Sequence, residues 1–241
     1  MVLAASLAAI VLQPVSAPAP LSVLVFSETK GFRHDSIPEG KRALYKIAQD
    51  AKWQMAFTED SSAFSDSKLK AVDVVVFLCT TGDVLNDQEQ VAMENYIRGG
   101  GGYFGVHAAA DTEYDWPWYG QLVGGYFKSH PKIQEATVKV EDLKHPATKH
   151  LITSWKRVDE WYDYRENPRT SVRVLASLDT KSYQGHVMGD DHPIMWCHDF
   201  QGGRSFYTGF GHTKESYAEP EFLTILKEGI LWTAAKKRAG R

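Results

Sequence analysis

The run VDVVVFLCT, Val72 to Thr80, constrains the fold more than any other stretch of the chain. It has the length of one strand and is apolar at nearly every position after Asp73, a pattern expected when both faces are buried. A strand covered on both sides belongs to a parallel sheet with helices above and below. LSVLVF (Leu21–Phe26) and YFGV (Tyr103–Val106) repeat the texture, and WQMAFTED (Trp53–Asp60) supplies a further strand. Two helical segments separate these runs. In SIPEGKRALYKIAQD, Ser36 and Glu39 have capping-box spacing and Pro38 fits the first turn. DQEQVAMENYIR is capped by Asn86 and stopped by the glycines at 99–102.

Strand and helix alternating at this rhythm imply right-handed crossovers and a parallel sheet. After about residue 130 the texture changes. IQEATVKVED, WKRVDEWYDY, TSVRVLASLDT, HPIMWCHDF and GRSFYTGF read as strands, several of them antiparallel, and PEFLTILKEGILWTAAKKR as a closing amphipathic helix. The expected architecture is α/β: a flavodoxin-like three-layer sandwich with a mostly parallel central sheet and an antiparallel β addition in the second half. One domain spans residues 21–238, which suits a length of 241 residues.

Residues 1–20 read as a leader. Val2 to Leu12 is an apolar run of signal-peptide length, too short to anchor in a membrane, and Val15-Ser16-Ala17 offers a cleavage site. The expectation is an exported protein, periplasmic or extracellular, with a signal peptide over 1–17. A net charge of −3, with a basic block only in the terminal KKRAGR, excludes nucleic acid as the expected partner. The two cysteines, Cys79 and Cys197, lie in apolar runs and read as core residues, with their pairing left open.

Ligands of open parallel sheets bind beyond the carboxyl ends of the strands. Three histidines fall at such ends: His34 after the first strand, His107 closing YFGV, and His212 after SFYTGF, with His130 joining from the loop after Trp118–Leu122. Imidazole exchanges protons near neutrality and, when neutral, binds metals. His107, His34, His212 and Asp111 are therefore the candidate catalytic residues. If a helix starts at the corner, Asp111 shares a face with His107 and orients it or ligates. A divalent metal such as Zn²⁺ is the candidate cofactor, with His107, His130 and His212 as its ligands. Each of these has an alternative: His34 and Asp35 precede a helix and could cap it, and His212 could serve only its loop. His145, His150, His186 and His198 read as surface or packing residues.

GFRHDSI, GGGGYFGVHAAADT, WYGQLVGGYFKSHP, DEWY, HPIMWC and GRSFYTGFGH, taken together, resemble the ThuA-like (trehalose utilisation) family, whose fold is akin to class I glutamine amidotransferase domains. In those amidotransferases the corner after the glycine-rich strand carries a cysteine nucleophile. His107 takes that place here, so thiolate attack on glutamine is not expected. The resemblance implies a small carbohydrate ligand, with 3-keto glycosides as the suggested substrates and His-based or metal-assisted isomerisation, elimination or hydrolysis as the chemistry. Arg33, Trp116, Trp118, His130, Glu160 and Trp161 are the candidate sugar contacts, with Tyr119, Tyr162, Asp115 and Asp159 nearby. A hydrolase using Asp159 or Glu160 is a further possibility, and the alternative from another class is a non-catalytic carbohydrate-binding module. A nucleotide-binding role is disfavoured because the glycine run precedes a strand instead of opening a helix. The oligomeric state is left open.

Overall fold

The computed structural model of the chain describes residues 19–239. The expected signal peptide over 1–17 lies outside them. In chain order the elements are β1 (Ser22–Phe26), α1 (Ile37–Ala51), β2 (Gln54–Thr58), the single turn α2 (Asp66–Leu69), β3 (Val74–Leu78), α3 (Asp87–Arg98), β4 (Gly102–Val106), α4 (Pro117–Val123), β5 (Phe127–Ser129), β6 (Gln134–Val140), β7 (Ser154–Asp159), β8 (Asp163–Tyr164), β9 (Arg173–Leu178), β10 (His192–Phe200), β11 (Gly203–Thr208) and α5 (Pro220–Ala239).

One nine-stranded sheet runs β2-β1-β3-β4-β11-β10-β9-β6-β7, and β5 and β8 form a small separate ribbon. The first five strands in that order are mutually parallel, and the remaining pairings are antiparallel. This is the expected flavodoxin-like arrangement with an antiparallel addition. Burial follows the apolar runs: every residue of β3 and β4 is buried. Glycines let helices approach closely. A Cβ on Gly102 would stand 2.8 Å from the Thr233 backbone of α5, and one on Gly101 would stand 2.4 Å from the Tyr96 ring of α3. Tyr103 shares the face of Gly101 and bonds Tyr119 of α4 through its hydroxyl at 2.7 Å. Thus α5, with α1 beside it, covers one face and α3 with α4 the other.

Local chemistry departs from expectation at two places. The Asn86 capping box forms, with Glu89 as its reciprocal partner. The one expected at Ser36 does not, because the Ser36 hydroxyl donates to the Gly211 carbonyl at 3.0 Å. WKRVDEWYDY is not one strand. It breaks after Asp159, whose side chain accepts from the Glu160 N–H and turns the chain inward. Cys79 and Cys197 are buried free thiols. Among the described residues no helix is long and apolar enough to cross a membrane.

Candidate active site

Four strands deliver the site. His34 follows β1, His107 follows β4, Glu160 follows β7 and His212 follows β11, and all four strands run toward the same end of the sheet. Although β7 is the far edge strand, Arg157 on it lies 4.2 Å over the ring of Phe210, just beyond β11. The antiparallel half therefore coils back over the end of the parallel half, as right-handed sheet twist allows. One potential ligand atom from each of His34, His107, Glu160 and His212 lies within 4.8 Å of the other three.

His107 is the centre of this group. Its φ is +49°, a left-handed conformation rare for a residue with a side chain. Two bonds hold it there: Tyr207 donates its hydroxyl to the His107 carbonyl at 2.8 Å, and the ring Nδ1 lies 3.0 Å from the Gly209 carbonyl. A carbonyl can only accept, so Nδ1 carries the proton and Nε2 presents a lone pair. That lone pair faces Glu160 Oε2 at 3.3 Å and His212 Nδ1 at 3.3 Å, and the last two are 3.1 Å apart. Tyr162 walls one side of the imidazole, ring centroids 4.1 Å apart.

Burial and charge divide the group. Burial pushes His34 down to about 2, helped by the neighbouring His107 and His212, and its Nδ1 is buried without a hydrogen-bond partner. Burial opposes the charged form of Glu160, but the adjoining His107 and His212 imidazoles prevail and hold the carboxyl well below its usual range. Burial also opposes the His212 imidazolium, yet the hydrogen bond and charge of Glu160 raise it overall. Asp111 differs: burial raises its carboxyl despite the 2.5 Å hydrogen bond donated by Tyr114.

Several expected contacts are placed otherwise. His107 opens a 3₁₀ turn, His107–Ala110, so it shares no α-helical face with Asp111, and Gly209 rather than Asp111 bonds the ring. His130 falls outside the four-residue group. Its Nδ1–H points to the Pro131 carbonyl and to the other oxygen of Glu160, at 2.9 and 3.1 Å, so His34 and Glu160 complete the set instead. The Arg33 guanidinium forks onto Glu59 at 3.0 and 2.9 Å. Trp161 is fully buried and donates to the Gln134 carbonyl. Trp116 stacks on Trp118, which donates to Gln201 in the β10–β11 turn, at the opposite end of the sheet from the histidines. Asp159 is wholly buried and spends both oxygens on the chain itself. Phe32 escaped the sequence reading: it is 66% exposed and its ring touches that of His34. An apolar residue standing alone in the polar loop SETKGFRHD was the available signal.

The family model for ThuA, trehalose utilisation, matches residues 22–233. The chain belongs to the ThuA family. Membership points to a carbohydrate-related role. A ThuA-like protein of Bacteroides uniformis has 27% identity and a TM-score of 0.77, over 92% of this chain and 95% of that one. A ThuA-like protein of Parabacteroides merdae superposes with a TM-score of 0.73 at 19% identity, over 91% of each chain. A β-galactosidase of Bacillus circulans shares the fold alone, with a TM-score of 0.58 at 13% identity over 91% of this chain and 31% of the larger enzyme. No curated protein matches the sequence. For this ThuA-family chain the structure places a histidine at the corner, while burial pushes the Cys79 thiol up to about 12, where it is no nucleophile at neutral pH.

Proposed function

We propose that the chain is a metal-assisted acid–base enzyme acting on a carbonyl-bearing sugar, with 3-keto glycosides as the favoured substrates. One observation carries the reading. His107 Nε2, Glu160 Oε2 and His212 Nδ1 stand 3.1–3.3 Å from one another, with two acceptors, the Nε2 lone pair and the carboxylate, face to face. Tetrahedral ligands on bonds of about 2.0–2.1 Å are about 3.4 Å apart, so a Zn²⁺-class ion fits between these atoms. The buried, unpartnered nitrogen of His34 supplies the polarity of a further ligand. The Gly209 carbonyl fixes the His107 tautomer, as ligand histidines generally require.

A bound divalent ion supplies Lewis acidity toward a substrate carbonyl. The chain's own groups do the rest. His130, partly exposed at the rim and bonded to Glu160, carries protons between solvent and site. Asp111, whose ionised form burial disfavours, accepts the Tyr114 hydroxyl close to the site. The buried walls formed by Tyr162 and His34 limit water.

Metal analysis of untagged protein purified without chelator tests the reading. About one zinc-class ion per chain is expected from this ligand set, with loss in His107→Ala and Glu160→Ala and parallel loss of turnover on 3-keto glycosides. A wild type that takes up no divalent ion, or variants that keep it, would overturn the metal-assisted mechanism.

A further inference from the structure

We propose that Phe32 is the platform on which a pyranose ring rests over the histidine–glutamate cluster. The inference relies on the sugar reading above and names the ring form it selects. Phe32 meets His34 edge-on, centroids 4.9 Å apart at 86°, and the His34 ring in turn lies 4.9 Å from that of His107 and 5.1 Å from that of His212. The exposed aromatic is thus one ring removed from the other two imidazoles of the cluster. The partly exposed His130 bonds Glu160, so the cluster adjoins a polar surface residue as well as the aromatic one.

The loop holds Phe32 out by design of its backbone. Thr29 bridges Thr81, Lys30 N–H donates to the Thr81 carbonyl at 2.7 Å, and Gly31 N–H donates to the Thr81 hydroxyl at 3.2 Å. That hydroxyl donates to the Phe32 carbonyl at 2.9 Å. Of the side chains that follow, Arg33 pairs with Glu59, Asp35 with Lys214 and Ser36 with the Gly211 carbonyl. Phe32 is the apolar side chain of this stretch, and it stays 66% exposed although its burial would be favourable. A lone exposed apolar side chain is ordinary. One that a pinned backbone sets against a buried ligand histidine is placed to receive something flat and partly apolar. The C–H face of a pyranose has that shape, and an acyclic polyol has not.

Titration calorimetry with the methyl α- and β-glucopyranosides and galactopyranosides, with sorbitol as the acyclic control, tests this. Phe32→Ala should weaken the best pyranoside about tenfold, with Phe32→Trp restoring it, while sorbitol binding hardly moves. Zinc uptake is measured on the same samples and should be unchanged, since Phe32 contributes no ligand atom. Equal pyranoside affinity in wild type and Phe32→Ala, or an equal loss for sorbitol, overturns the platform and leaves the sugar reading standing. A wild type that binds none of the pyranosides overturns both. A wild type that binds pyranoside through Phe32 but takes up no zinc supports the platform and removes only the metal.

Discussion

The Asp159 carboxylate accepts the backbone N–H groups of Glu160, His212 and Thr213 on one oxygen, at 3.0, 3.1 and 3.3 Å. The other oxygen takes the Gly211 N–H at 2.9 Å and the Ser216 hydroxyl at 3.2 Å, with the Arg157 guanidinium at 3.1 Å. One buried side chain thereby fixes both Glu160 and His212. Asp159→Asn leaves Arg157 short of its buried counter-charge, and the expected loss of stability is about 3–5 kcal/mol. Zinc affinity should also fall, by about 10–100-fold, because the groups that aim two ligands are disturbed. Urea unfolding and zinc titration of the variant read the two effects separately, and a variant matching wild type in both would remove Asp159 from this role. In the sequence, Asp159 and Glu160 are adjacent acids in VDEWY and look interchangeable. Their opposite placements depend on which amides surround them, and apart from the Glu160 N–H those come from residues more than fifty positions away.

Between elements, α5 fits closely on β4. Gly229 of α5 stands where a Cβ would lie 2.3 Å from the Phe104 ring, and Phe104 is itself stacked on Phe206 at 4.9 Å with planes 7° apart. Helix propensity favours alanine over glycine by about 1 kcal/mol, whereas overpacking a fixed core costs about 1–3 kcal/mol. The clash should win, so Gly229→Ala is expected to destabilise by up to about 2 kcal/mol in thermal or urea unfolding; a stabilised variant would show that the ring yields. The strands and long helices were legible because apolar runs and periodicity are local. His34, His107 and His212 were legible for a related reason: strand ends can be read from the chain, and parallel strands share an end. What was not legible is where aromatic side chains go. Trp116 and Trp118 are drawn to the β10–β11 turn, where Trp118 donates to Gln201, and Trp161 sits buried on the Gln134 carbonyl just after the bend at Asp159.

Over the whole molecule, acid should be the weak condition. His145 is buried against Trp232 and Phe206, and burial, with nearby Arg173, pushes it down to about 4. The unfolded chain binds a proton there near pH 6.5, so between about 6.5 and about 4 unfolding takes up a proton and stability falls as the pH drops. Other buried imidazoles, His34 among them, pull the same way. His145→Asn, which can still accept the Ala147 N–H that now reaches Nδ1, should shrink the difference in urea midpoint between pH 7 and pH 5 without abolishing it; an unchanged difference would exonerate His145. The position of β11 bears on how such a chain is made. The last strand in sequence lies in the middle of the sheet, between β4 and β10. During synthesis the early strands have only an open edge at β4 until residues 203–208 leave the ribosome, and the late strands wait with their own edge at β10. Inserting that strand welds the two halves and, in the same step, brings His212 to His34, His107 and Glu160, which precede it in the chain. Bare edges attract other chains. Nascent copies of this protein are therefore most exposed to one another just before β11 pairs, and a ligand that needs all four donors can reward only a chain in which β11 is in place.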